Sequence, residues 1–193
     1  MVKLSKISME TGNQEVTIVH PMIGHNKQRG MTLIQALFVL VLGGIALSVA
    51  LNQYQSGERT SRIQKNTGDI MEIIGAAKSN YGQFSYNNLT TSIAIGAGVI
   101  PKRLAISDSA AQNDFDGTIT LVSGLNATAD LTYGSVPKEV CAQIVTSTAN
   151  GARKISVNGT EVKALDADVD IEALSTNCNT QPTATVIWTI GRT

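Results

Sequence analysis

Cys141 and Cys178 carry the most obvious chemistry in this chain, because a thiol can act as a nucleophile or form a disulfide. A nucleophilic cysteine needs a histidine or a pair of cationic residues nearby to stabilise its thiolate. The only two histidines, His20 and His25, lie far upstream, and no pair of basic residues stands next to either cysteine. The pattern favours a structural disulfide over a catalytic thiol.

Four carboxylates alternate from Asp166 to Glu172 as the first ligands of a calcium-binding loop do. Such a loop has glycine at its sixth position and glutamate at its twelfth, where this chain has Ile171 and Asn177. The stretch therefore predicts a solvated acidic edge, with a calcium site as the alternative. No catalytic triad, phosphate loop or catalytic carboxylate pair stands out, so we expect neither an enzyme nor a bound cofactor.

The apolar segment after Gly30 predicts where the chain resides. Residues 31–57 contain no charged side chain, and the apolar run at 33–51 approaches the roughly 20 residues that span a bilayer as a helix. Because Lys27 and Arg29 precede this run, we expect the first 30 residues to face the cytoplasm and the rest to be exported. Export strengthens the prediction of a disulfide, since exported cysteines normally pair.

The junction at Gly30 resembles the processing signal of type IV pilins. The residues that carry this resemblance are Gly30 followed by Met31-Thr32-Leu33-Ile34-Gln35-Ala36-Leu37. In that family prepilin peptidase cleaves after the glycine and methylates the new N-terminus, so Met31 is expected to begin the processed chain and to be methylated. The long leader and Met31 look like the type IVb branch, and similar Leu-Thr-Thr and Ile-Pro segments occur here at residues 89–91 and 100–101. The family usually has glutamate at the fifth processed position, where this chain has Gln35.

The resemblance implies a division into three parts: a leader at residues 1–30, a membrane and assembly half of the N-terminal helix at 31–57, and a globular pilin domain at 58–193. It implies a structural subunit that leaves the inner membrane and polymerises with copies of itself into an extracellular filament of a Gram-negative bacterium. Gln35 is then an assembly residue. The implied partners are prepilin peptidase, the pilus assembly machinery with its ATPase and secretin, and a host-cell surface receptor. The implied roles of the filament are adhesion, aggregation and surface attachment.

Two other classes of protein remain open. One is a membrane-anchored minor pilin or pseudopilin, which Gln35 would exclude from bulk assembly. The other is a secreted binding protein in which residues 31–48 form the apolar core of an ordinary signal peptide, with cleavage near Ala46-Leu47-Ser48.

Hydrophobic periodicity predicts the elements that position these residues. The apolar positions Ile63, Ile70, Ile74, Ala77 and Tyr81 extend the N-terminal segment into one amphipathic helix from Met31 to Asn80. Further elements are predicted in the order strand 117–122, strand 130–133, a helix opened by residues 135–139 and ending before Gly151, a hairpin at 154–162 around Asn158-Gly159, and strand 184–190. They predict an α+β fold in which a long N-terminal spine helix packs on an antiparallel sheet, as the resemblance to pilins also implies.

The charge balance argues against one class of partner. Residues 31–193 carry 11 basic and 13 acidic side chains, a formal charge of −2. No basic run is longer than two residues. This gives no electrostatic footprint for nucleic acid, so we expect no such partner.

Overall fold

The computed structural model describes residues 33–191, with side chains described for 33–48 and 57–191. The chain divides into two compact units, Met1–Val49 and Ala50–Thr193. The first helix, α1, spans Leu33–Tyr81 and contains 49 residues. It ends one residue beyond the predicted Asn80, where the Gly82 N–H donates to the carbonyl oxygen of Lys78 at 2.9 Å.

Three shorter helices follow α1. They are α2 at Thr91–Gly96, α3 at Lys138–Thr148 and α4 at Ile171–Asn179, and a 3-10 turn at Ala149–Gly151 extends α3. Side chains cap two of them, because the Thr90 hydroxyl accepts from the Ile93 N–H and the Asp170 carboxylate accepts from the Ala173 N–H.

One seven-stranded sheet occupies the second unit. Its strands are β1 Ala105–Ser107, β2 Ala110–Gln112, β3 Thr118–Ser123, β4 Ala129–Pro137, β5 Lys154–Val157, β6 Thr160–Lys163 and β7 Thr183–Ile190. Their spatial order is β1-β2-β3-β4-β7-β5-β6, and every pairing is antiparallel. The predicted α+β class and antiparallel sheet are confirmed.

The tight turn of the β5–β6 hairpin confirms the prediction made from Asn158-Gly159. Both residues have positive φ, 51° and 84°, as the two-residue hairpin turn requires. The Asn158 amide also holds this turn in place, because its nitrogen donates to the Asn177 carbonyl oxygen at 3.0 Å and its oxygen accepts from the Thr185 N–H at 2.9 Å.

The core lies between one face of the sheet and the helices. On α1 the buried side chains recur at intervals that keep them on one face, and they are Ile63, Asn66, Asp69, Ile70, Ile73, Ile74 and Ala77. The Tyr133 hydroxyl of β4 donates to the Asn66 side chain at 3.1 Å, and the buried Trp188 indole of β7 donates to Thr148 of α3 at 2.9 Å. The sheet is therefore joined to two helices by buried hydrogen bonds as well as by apolar contact.

Three features differ from the prediction. Residues Ser135 to Pro137 lie in β4, although the sequence predicts that they open the helix that ends before Gly151. The reason is that Val136 and Pro137 pair with Ala184 and Thr183 of β7. Helix α3 therefore begins at Lys138. The short strands β1 and β2 and the helix α4 were not predicted.

Candidate functional site

The predicted processing site at Gly30 and Met31 lies outside the described residues. Gln35, the predicted assembly residue, lies near the beginning of α1 with an exposed side chain.

The N-terminal part of α1 exposes apolar side chains on all its faces. Ten large apolar residues between Leu33 and Leu47 have exposed fractions of 53% to 78%. They occupy consecutive positions at 37–42, so no single face of the helix carries them. An apolar surface that surrounds a helix is a site of contact with other apolar groups.

A search of the described residues finds no helix both long and apolar enough to span a membrane. The predicted membrane run continues past Ser48 to Leu51, into residues without described side chains.

The two cysteines are brought together by α3 and α4. Cys141 in α3 and Cys178 in α4 form a disulfide, with their Cα atoms 5.7 Å apart, and both side chains are buried. The disulfide predicted from the sequence is confirmed. Because both thiols are used in this bond, neither cysteine is a free nucleophile.

An ion-pair cluster joins α1 to the turn after α2. The Arg103 guanidinium lies 2.5 Å from the buried Asp69 carboxylate and 2.5 Å from the exposed Glu72 carboxylate. The hydrogen bond from Arg103 holds the pKa of Glu72 below its usual range. Burial, reinforced by the nearby Asp69 charge, raises the pKa of the Tyr133 hydroxyl.

The acidic stretch 166–172 has structural contacts of its own. Asp166 forms an ion pair with Arg153, and Asp170 caps α4. The hydrogen bond from Arg153 lowers the pKa of Asp166. Among the residues that the structure describes, no group of three or more histidine, cysteine or acidic side chains is placed to hold a metal ion.

A groove with a volume of about 310 Å³ opens in the second unit. It lies beside the N-terminal end of the part of α1 that belongs to this unit. Its apolar floor is formed by Phe115, Pro137 and Val140. The sequence gives no signal for this groove, because the loop before β3 and the start of α3 meet there only in the folded chain.

The turn between β3 and β4 presents one apolar side chain to solvent. Leu125 is 85% exposed, and it precedes Asn126 and Ala127, which have φ of 55° and 57°. The Gly124-Leu125-Asn126 sequence signals a turn, but the exposure of Leu125 follows only from the structure.

Comparison with known proteins places these features in context. The family model described as PilS N terminal matches residues 60–191. Two relatives are each 25% identical over 134 residues, which cover 67% of this chain and 69% of theirs. Both are described as the major structural subunit of bundle-forming pilus, from Escherichia coli O127:H6 (strain E2348/69 / EPEC) and Escherichia coli O111:H-.

A solved structure is similar in fold. The type IV b pilin from Salmonella typhi aligns with a TM-score of 0.51 and 20% identity, covering 63% of this chain and 95% of that one. The similarity confirms the pilin-like arrangement of a helix on an antiparallel sheet.

Proposed function

Since this chain belongs to the PilS N-terminal family and is a type IV pilin of the IVb kind, we propose that it polymerises through its apolar N-terminal helix into a surface filament. The filament would serve adhesion, aggregation or surface attachment. The main partner of each subunit is another copy of the same chain, and no catalytic role is proposed.

The observation that carries this proposal is the exposure of apolar side chains around residues 33–47. Exposure of this apolar surface to water costs about 25 cal/mol of free energy for each Å². Lipid can cover the surface before assembly, and the same helix of neighbouring copies can cover it in a filament. Transfer from the inner membrane to the filament therefore exchanges one apolar environment for another.

Processing must precede this transfer. We propose that residues 1–30 are a leader, that prepilin peptidase cuts between Gly30 and Met31, and that the new Met31 amine is methylated. The pilus assembly machinery would then extract the subunit from the inner membrane. A host-cell surface receptor is a further partner of the finished filament.

Electron microscopy of material sheared from cells tests polymerisation, and the intact mass of the filament subunit tests processing. The expected mass is that of a chain beginning at Met31 with one methyl group. Gly30→Glu should leave the full-length precursor in the inner membrane and remove the filaments, whereas Gly24→Glu, a matched change within the leader, should not. A subunit that begins beyond Ser48 would overturn the proposal.

A second candidate role is that of a membrane-anchored minor subunit. Gln35 favours it, because a carboxylate is usual at this position in the family. The proportion of this chain in sheared filaments separates the two roles, since a major subunit accounts for most of the filament protein.

A further inference from the structure

We propose that the β3–β4 tip of one subunit, residues 124–128, inserts Leu125 into the groove over Phe115, Pro137 and Val140 of the next subunit. The proposal rests on the proposed function, since it assigns a contact within the filament. The partner is a second copy of this chain.

Hydrogen bonds within the β3–β4 tip hold its backbone conformation. The Gly124 N–H donates to the Thr128 carbonyl oxygen at 2.8 Å, and the Thr128 hydroxyl donates to the Leu125 carbonyl oxygen at 2.6 Å. Ala127 adopts a left-handed conformation that alanine rarely occupies and that costs free energy. The turn therefore holds Leu125 outward, 85% exposed, at the expense of backbone strain.

The groove has the size and the apolar floor to receive a leucine. An apolar cavity of about 150 Å³ holds a benzene molecule, so the 310 Å³ of this groove admits a leucine side chain together with part of its turn. Val140 on its floor is buried, and Phe115 packs against the core, so the floor is continuous with the core.

The charges of the two surfaces are also compatible. The β3–β4 tip contains no charged residue. The groove rim carries two arginines and two glutamates, so its formal charges balance. Arg62 pairs with Glu58 at 2.8 Å, and Arg59 donates to the backbone carbonyl oxygen of Glu139. The groove consequently suits an uncharged occupant. A charged side chain on the tip would lose its hydration on entering the groove, which costs free energy.

The positions of the two surfaces determine the kind of assembly. Phe115 precedes the start of β3 and Leu125 follows its end, so the groove and the β3–β4 tip lie at opposite ends of one strand. In a contact between two different surfaces, each subunit uses its tip on one neighbour and its groove on another. The same contact can therefore repeat from copy to copy. Such a contact gives a ring if the rotation between copies closes and a filament if it does not, whereas a twofold contact would close a dimer.

Disulfide trapping in filaments tests this contact directly. Glu58→Cys places a thiol on the exposed groove rim, and Leu125→Cys places one on the tip. After mild oxidation of sheared filaments, the double variant should give a ladder of multimers on a non-reducing gel. Each single variant should give no ladder. The matched control combines Leu125→Cys with Lys78→Cys, about 30 Å further along α1, and should also give no ladder.

A second set of variants covers the case in which the cysteines impair assembly. Leu125→Asp should reduce the filaments recovered per cell by at least about tenfold, as a change at a central interface residue does. Leu125→Met should retain them. Leu165→Asp, at another exposed leucine in a loop, should leave them at the parent level.

The outcomes separate this inference from the proposed function. Absence of filaments from the parent chain would overturn both. Parent-level filaments from Leu125→Asp, or filaments of the double cysteine variant that give no ladder, would overturn the contact and leave polymerisation in place. The inference stands if two results are obtained. The ladder must form when Leu125→Cys is combined with Glu58→Cys and not when it is combined with Lys78→Cys. Leu125→Asp must lose its filaments while Leu125→Met and Leu165→Asp keep theirs.

Discussion

Gln35 is the fifth residue of the chain that the proposed cleavage after Gly30 would leave, and its amide defines the chemistry available there. In type IV pilins the usual carboxylate at this position is thought to pair with the charged N-terminus of a neighbouring subunit. Glutamine has no charge, but its amide oxygen can still accept a hydrogen bond from an ammonium group. It also avoids the desolvation of a second charge. We therefore propose that Gln35 accepts a bond from the Met31 amine of its own or an adjacent subunit.

Substitution of Gln35 tests this role. Gln35→Leu removes the acceptor while keeping the apolar helix, so filaments should be lost or sharply reduced although cleavage after Gly30 continues. Gln35→Glu should be tolerated, because it restores an acceptor. Electron microscopy of sheared material, together with the mass of the membrane-bound subunit, measures both effects. Undiminished filaments from the leucine variant would show that no polar group is needed here.

Among the elements, α3 and α4 are joined covalently by the Cys141–Cys178 bond. A bond between residues 37 apart restricts the unfolded chain and contributes about 4 kcal/mol in the chain-entropy model. Asn158 supports the same region, since it links the β5–β6 turn to the end of α4.

Loss of this bond should therefore destabilise the second unit. For Cys178→Ser we expect the free energy of unfolding to fall by up to about 4 kcal/mol, with greater sensitivity to proteases. Denaturant unfolding of the purified subunit measures the change, and the reduced parent protein is the control. An unfolding midpoint equal to that of the oxidised parent would contradict the assigned role.

The ion-pair cluster between α1 and the turn after α2 makes stability depend on pH. Arg103 lowers the pKa of Glu72 in the folded state below its ordinary value of 4.5. Glu72 therefore contributes stability above its unfolded pKa, and that contribution is lost as the pH falls through its folded pKa. The contribution is small, because Glu72 is exposed and water screens the pair.

Arg103→Gln should bring the pKa of Glu72 back towards its ordinary value. The variant should then lose less stability than the parent between pH 7 and pH 3. An NMR titration of the Glu72 carboxyl group and thermal unfolding across this pH range provide the measurements. Lys102→Gln, an adjacent change of the same charge, should leave the Glu72 titration as it is in the parent. A Glu72 titration that is the same with and without Arg103 would rule out this pairing.

How far the sequence predicts these elements depends on how local their signals are. The β5–β6 hairpin is predictable because Asn158-Gly159 supplies both positive φ angles within two residues. The strands β1 and β2 have three residues each, too few to show alternation. Pairing with β7 also keeps Pro137 in a strand rather than a helix. The groove and the exposure of Leu125 on the β3–β4 tip escape prediction because they too depend on the folded chain.

At the scale of the whole molecule, the two compact units have opposite distributions of apolar residues. The second unit buries most of its apolar side chains in one core, whereas the described part of the first exposes them around a helix. We infer that the second unit folds through its own contacts and that the first is stabilised by lipid or by other subunits.

A charge in the first unit should therefore impair assembly without impairing the fold of the second. Leu40 is 71% exposed, so Leu40→Arg should leave the disulfide-bonded domain intact. The burial of an unpaired guanidinium among apolar helices should abolish filaments. Gln64→Arg, at an exposed position of α1 in the second unit, is the control. Filament yield per mole of oxidised subunit is the measurement, and parent-level yield from Leu40→Arg would refute the inference.

The central position of β7 constrains the order in which the sheet can be completed. Strand β7 comes last among the described strands, yet it lies between β4 and β5. Until residues 183–190 have entered the sheet, β4 and β5 have no partner on their facing edges, and the sheet exists as two separate parts. The unpaired edges are thus exposed to proteases and to wrong strand pairing. A chain that ends before β7 can form no continuous sheet, however well its earlier strands pair.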